Sequence, residues 1–140
     1  MKRRSPILLL IALVVLFFSQ SAESASGRAP ARAVPPGVWG GDHIRMEVSL
    51  DGAEIEFDCA RGTISAPLTL DAQGRFQVKG IYKRDTPAPA AAGADAGANA
   101  VYSGTLKGGA IHLEVSVSGQ SAVQSFNLVQ GDQGTLTKCA

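Results

Sequence analysis

From Ile44 to the C-terminus the chain repeats one pattern: short stretches of alternating apolar and polar residues, each ended by a turn containing Gly or Asp. Strict period-two alternation puts every second side chain on one face of a half-buried strand, so the pattern specifies an antiparallel sheet that curls on itself. The first stretch places Ile44, Met46, Val48 and Leu50 on one face, and Asp51-Gly52 gives a two-residue hairpin signal. Ala53, Ile55, Phe57 and Cys59 return on that face, Arg61-Gly62 reverses the chain, and Ile64, Ala66, Leu68 and Leu70 continue it. A loop at Asp71-Ala72-Gln73-Gly74, with Gly74 in the left-handed region, leads to Phe76, Val78, Gly80 and Tyr82. Tyr102, Gly104 and Leu106 form the fifth stretch, and Gly108-Gly109 turns it into Ile111, Leu113, Val115 and Val117. Ala122, Gln124, Phe126 and Leu128 make the seventh; Gly131 to Gln133 closes a last hairpin to Leu136 and Lys138.

Eight strands joined mostly by tight turns form a meander. Left open, it would expose two edges; pairing the last strand with the first removes both. The expected fold is therefore all-β, an eight-stranded antiparallel up-and-down barrel, with a two-sheet β-sandwich as the alternative.

Ahead of the domain, Lys2, Arg3 and Arg4 precede an unbroken apolar run from Ile7 to Phe18 and then small residues, the layout of a secretory signal peptide over 1–24. The run is 12 residues long, short of the roughly 20 that a bilayer-spanning helix needs. No second apolar stretch follows, so no membrane span is expected after cleavage. The expected location is periplasmic or extracellular. Residues 25–36, rich in Ala, Arg, Pro and Gly, read as a disordered leader, and 37–140 as the barrel domain, with a flexible Ala/Pro/Gly loop at 83–99. Without the three signal cations, 10 Lys and Arg face 12 Asp and Glu, a net charge of −2, or −1 if Glu23 is also removed. Such a surface has no basic face for nucleic acid.

Export sets how the two cysteines are read. In an oxidising compartment a lone pair is most simply a structural disulfide, Cys59 to Cys139. Both end even-numbered strands and so reach one rim, two strand spacings apart. That gap of about 10 Å exceeds what a disulfide can bridge, so Cys139 must leave the ladder near Lys138 and cross the rim.

Gly37-Val38-Trp39 sits directly before the first counted strand, with Lys138 inward by parity on the last. This resembles the signature of the calycin-type barrels, the lipocalins and their relatives, in which a Gly-x-Trp motif packs against a basic side chain from the final strand. The resemblance implies a small binding barrel whose floor is closed by Trp39 with Lys138 stacked on it. The chain departs from lipocalins in lacking a helix after the barrel and a large first loop. In size and in its single disulfide it is similar to the small periplasmic metalloprotease inhibitors. Gly37-Val38-Trp39-Gly40-Gly41, Phe57-Asp58-Cys59-Ala60 and Tyr102-Ser103-Gly104 also look similar to small exported bacterial proteins of no assigned function.

The candidate ligand site is the inward cluster Trp39, Tyr82, Tyr102, Gln124 and Lys138 at the disulfide end, an aromatic pocket with polar tips that could hold a small amphipathic ligand. The competing interpretation is a packed barrel floor, and it is favoured: side chains just fill an eight-stranded barrel, and this one carries Phe57, Phe76, Phe126 and many Leu and Ile. On the outer face of the first hairpin the expected pairs are Arg45 with Asp58 and Glu47 with Glu56, a solvated face rather than a calcium site. His43 and His112 lie outward on non-adjacent strands, and no nucleophile-elbow or phosphate-cradling motif occurs, so neither an enzyme nor a cofactor or metal is expected. The expected function is non-catalytic binding of a small ligand or a protein partner; a protease-inhibitor-like domain and an envelope structural protein are the alternatives.

Overall fold

Alternation in the sequence becomes alternation in burial: Ile111, Leu113, Val115 and Val117 are buried while Ala110, His112, Glu114 and Ser116 between them are exposed. The computed structural model describes residues 31–85 and 96–139. Among them the strands are β1 (Arg32–Ala33), β2 (Gly37–Gly41), β3 (Ile44–Val48), β4 (Ala53–Phe57), β5 (Ala60–Ile64), β6 (Thr69–Leu70), β7 (Arg75–Arg84), β8 (Ala98–Lys107), β9 (Ala110–Val117) and β10 (Gln124–Gln130). Eight of them close a barrel in the order β10-β2-β3-β4-β5-β7-β8-β9. Neighbours are antiparallel throughout, so the barrel is a meander whose first and last members meet. The sandwich alternative is thereby removed.

The seam is not where the alternation placed it. Gly37–Gly41 closes the barrel, with Gly40 opposite Val129 and Trp39 opposite Gln130 on one side and Met46 opposite Trp39 on the other. Leu136 and Lys138 are in no ladder. Three glycines in five residues give β2 almost no apolar rhythm to detect, yet they are what the packing needs. A Cβ at Gly40 would run into the backbone of Asp132 and Gly134, because the C-terminal tail turns back across the outer face of β2 there. Gly131 and Gly134, both at positive φ, steer that reversal where a hairpin is expected.

Three other expectations shift for local reasons. The first hairpin has a four-residue connection, with Ser49 N–H donating to the Gly52 carbonyl, so Arg45 faces Glu56 and Glu47 faces Glu54, and Leu50 is 78% exposed instead of inward. Asp58-Cys59 is the next turn, which moves Arg61-Gly62 into β5 and leaves Ala66, Leu68 and Leu70 outside the barrel's ladder. The strands β7 and β8 run on past the predicted loop boundaries, Tyr82 pairing with Ala98 and Ile81 with Asn99. The rest of that loop, residues 86–95, the signal segment 1–24 and the leader as far as residue 30 lie outside the described residues. Gly74, Gly108 and Gly109 take the positive φ their turns require.

Residues 31–36 are structured, in contrast to the leader expected there. Arg32 and Ala33 pair with Leu70 and Thr69, Val34 N–H donates to the Leu68 carbonyl, and Val34, Leu68 and Leu70 are buried. This small sheet closes the end of the barrel where β3 and β5 finish, called the floor below. The other end, the rim, carries the Asp42-His43 and Asp58-Cys59 turns and the paired ends of β7 and β8 at Tyr82 and Ala98.

Candidate functional site

The five residues expected to form one pocket occupy different levels of the barrel. Trp39 is fully buried in the middle of β2, and its indole N–H donates to the Pro35 carbonyl at 3.0 Å, which aims the ring at the floor, away from the disulfide. Tyr102 is fully buried at mid-height, and its hydroxyl donates to the Ile81 carbonyl at 2.8 Å. Gly62 opens the space for that phenol: a Cβ there would stand 2.5 Å from the Tyr102 hydroxyl. Burial first, and then the neighbouring Tyr82 and Glu54, push the Tyr102 phenol well above its ordinary range.

Tyr82 and Gln124 do lie near the rim, Tyr82 buried and Gln124 half-buried. The Phe57 ring packs between two other aromatic rings there, 5.4 Å from that of Tyr82 and 5.3 Å from that of Phe126. Lys138 is exposed on the tail outside the barrel. It does not stack on Trp39, because the segment carrying it never enters the ladder; it contributes only a charge near Asp58.

The rim bears a constellation that alternation could not announce. Cys59 and Cys139 are joined, Cα to Cα 5.3 Å, and the tail crosses the start of β3 to reach the bridge, as the rim geometry requires. Beside it Asp58 uses both carboxylate oxygens: Oδ1 accepts the Thr137 backbone N–H at 2.7 Å and Oδ2 is 2.7 Å from His43 Nδ1. His43 sits in the left-handed region at φ 63°, its own N–H donating to the Thr135 carbonyl while Thr135 N–H donates to Gly41. The Thr137 N–H above all, then the His43 side chain and the nearby Lys138 charge, hold the Asp58 carboxyl below the usual range against a smaller opposing effect of desolvation. Thr137 and Asp58 are 79 residues apart, so only the closed fold reveals their contact. The one sequence signal was a carboxylate in the turn beside a bridging cysteine.

Outside the barrel, Glu47 and Glu54 face each other beside Arg45 and Glu56 around a hollow of about 220 Å³, and Thr63 Oγ1 donates to Glu54. No group of three or more His, Cys, Asp or Glu side chains among the described residues is placed to hold a metal ion. A larger hollow lies on the opposite wall over β7, β8 and β9, lined by Arg75, Gln77, Ser103, Thr105, His112 and Glu114 among others. His43 stands in the turn between β2 and β3 and His112 on β9, each with its own partner: Asp58 for the first, Asn127 at 2.9 Å for the second. Comparison of the chain with protein-family profiles, with curated proteins and with solved structures gives no match in any of the three.

Proposed function

We propose that this protein is an exported, non-catalytic binding module of calycin-like architecture that engages its partner through the outer surface of the barrel. The observation that carries this is the occupancy of the interior. Trp39, Met46, Ile55, Tyr102, Leu113 and Leu128 are all essentially without exposure along the axis. Val34, Leu68 and Leu70 lie across the floor, and the Phe57, Tyr82 and Phe126 rings pack below the rim. A barrel of eight strands has just enough interior for its own side chains, and these are large ones. The calycin-like assignment draws on the up-and-down closure, the inward Trp39 after Gly37 and the chain segment that caps the indole. Export draws on the basic head and apolar run at the N-terminus and on a disulfide consistent with an oxidising compartment.

Native mass spectrometry of the protein purified from its own envelope tests the proposal. An intact mass starting between Ser21 and Ser26, with a surface partner retained, is the expected result. A retained amphipathic small molecule that is lost on substitution of Tyr82 or Gln124 would instead place binding inside the barrel and overturn it. A bare barrel under every gentle purification would favour a structural role in the envelope.

A further inference from the structure

On the outer wall, strand register lines up Arg75, Thr105, His112 and Asn127 in one row across β7, β8, β9 and β10, and Gln77, Ser103, Glu114 and Ser125 in the next. The central strand β8 supplies the short side chains and its neighbours the long ones, so the wall is dished into a hollow of about 540 Å³. Its sides are held from behind. Arg75 Nε donates to Asp71 Oδ2 at 3.1 Å, while Asp71 Oδ1 accepts the backbone N–H groups of Gln73 and Arg75, each at 2.9 Å. The Arg75 N–H chiefly, with the Arg75 side chain and the Gln73 N–H, keeps the Asp71 carboxyl below its usual range. Across the hollow, the bond to Asn127 fixes the His112 ring, whose Nε2 stands 3.9 Å from Glu114 Oε1. Side chains already oriented lose less freedom when a ligand arrives.

The lining selects among ligand classes. Both edges of β8 are paired along its length, leaving no backbone for an added strand, and the lone apolar member of the lining, Phe76, is 5% exposed and turned inward. An extended peptide therefore finds neither a free edge nor pockets for its side chains. Asp71 and Glu114 outnumber Arg75, which disfavours a multiply charged anion. What remains is a guanidinium on one wall whose Nε is held by Asp71 and whose Nη2 reaches Gln73, leaving its other N–H groups to donate, a carboxylate that accepts hydroxyls on the other, and hydroxyl and amide groups between them. We propose that this hollow binds a neutral saccharide segment, the Arg75 guanidinium and the Glu114 carboxylate taking hydroxyls of one sugar from opposite sides. The proposal rests on the surface-binding function above and names its ligand class.

Amide shifts of the ¹⁵N-labelled exported protein, titrated separately with maltotriose, cellotriose and chitotriose, provide the test. At least one sugar should move Ser103, Thr105, His112 and Glu114 saturably in the millimolar range, since no aromatic platform strengthens the contact. Glu114→Ala and Arg75→Ala should each weaken binding about tenfold or more, and Lys79→Ala, further along β7, should leave it unchanged. All three positions are exposed, so the variants keep the fold. Silent amides with all three sugars, or shifts that survive both substitutions, overturn the assignment. A protein partner retained in native mass spectra beside silent amides would leave surface binding standing and remove the saccharide.

Discussion

Gly62 and Tyr102 share one volume, and the fold depends on which residue yields it. Gly62→Ala brings a methyl group against a phenol that is fully buried and bonded to Ile81, so a loss of about 1–3 kcal/mol is expected from urea unfolding. Removing the hydroxyl with Tyr102→Phe leaves the Ile81 carbonyl without that donor and costs about 1 kcal/mol alone, but it relieves part of the clash. The double variant should therefore be more stable than the two losses added together; strict additivity would show that the glycine serves backbone freedom instead of space. Alternation made Tyr102 legible as an inward residue, as it did Tyr82 and Trp39. It could not say which way each side chain leans along the barrel axis, and that separates Trp39 at the floor from Tyr82 at the rim. Parity misplaced Lys138 because parity has meaning only inside a ladder.

Among the elements, the tail from Gly131 to Cys139 behaves as a strap over β2 rather than as a strand. Its covalent anchor closes a separation of 80 residues, so replacing both cysteines with serine should lower stability by about 2–4 kcal/mol, read from denaturant midpoints. Its second anchor is Asp58, whose folded carboxyl is held below its unfolded value of about 3.9. A depressed acid contributes stability that is present above the unfolded pKa and lost as pH falls through the folded one, so the strap should loosen in the range below about pH 4. Asp71 is depressed as well and contributes to the same range from the outer wall. Asp58→Asn should flatten the acid limb of the stability profile and speed amide exchange at Thr137, whereas Asp71→Asn should flatten the limb and leave Thr137 exchange unchanged. Equal exchange at Thr137 in both variants would mean that Asp58 does not secure the tail. The covalent anchor and the tail's crossing of the rim were legible in the sequence; the Asp58 anchor was not, because it joins a turn to a residue 79 positions away.

For the whole molecule, the eight-strand barrel was legible and its seam was not. The apolar rhythm of Ile44–Val48, Ala53–Phe57 and Ala110–Val117 counts strands well, since each buries one face. Gly37–Gly41 has no such rhythm, so the closing strand passed for a motif preceding the sheet, and the tail supplied a false eighth member. A chain ending at Gly131 decides between the two arrangements. It should keep a β-sheet spectrum and a cooperative transition, with a stability loss resembling that of the serine pair, because β10 still meets β2; collapse to an unfolded spectrum would return the closing role to the tail.

Pairing Gly40 with Val129 has a consequence for manufacture. A chain delivered from its N-terminus presents β2 long before β10, so β2 waits with an edge uncovered while the strands between them emerge. The cylinder can be completed only after β10 has emerged, and contacts so distant in sequence form slowly. The bare glycines of β2 offer an intruding neighbour few side chains to grip during that wait.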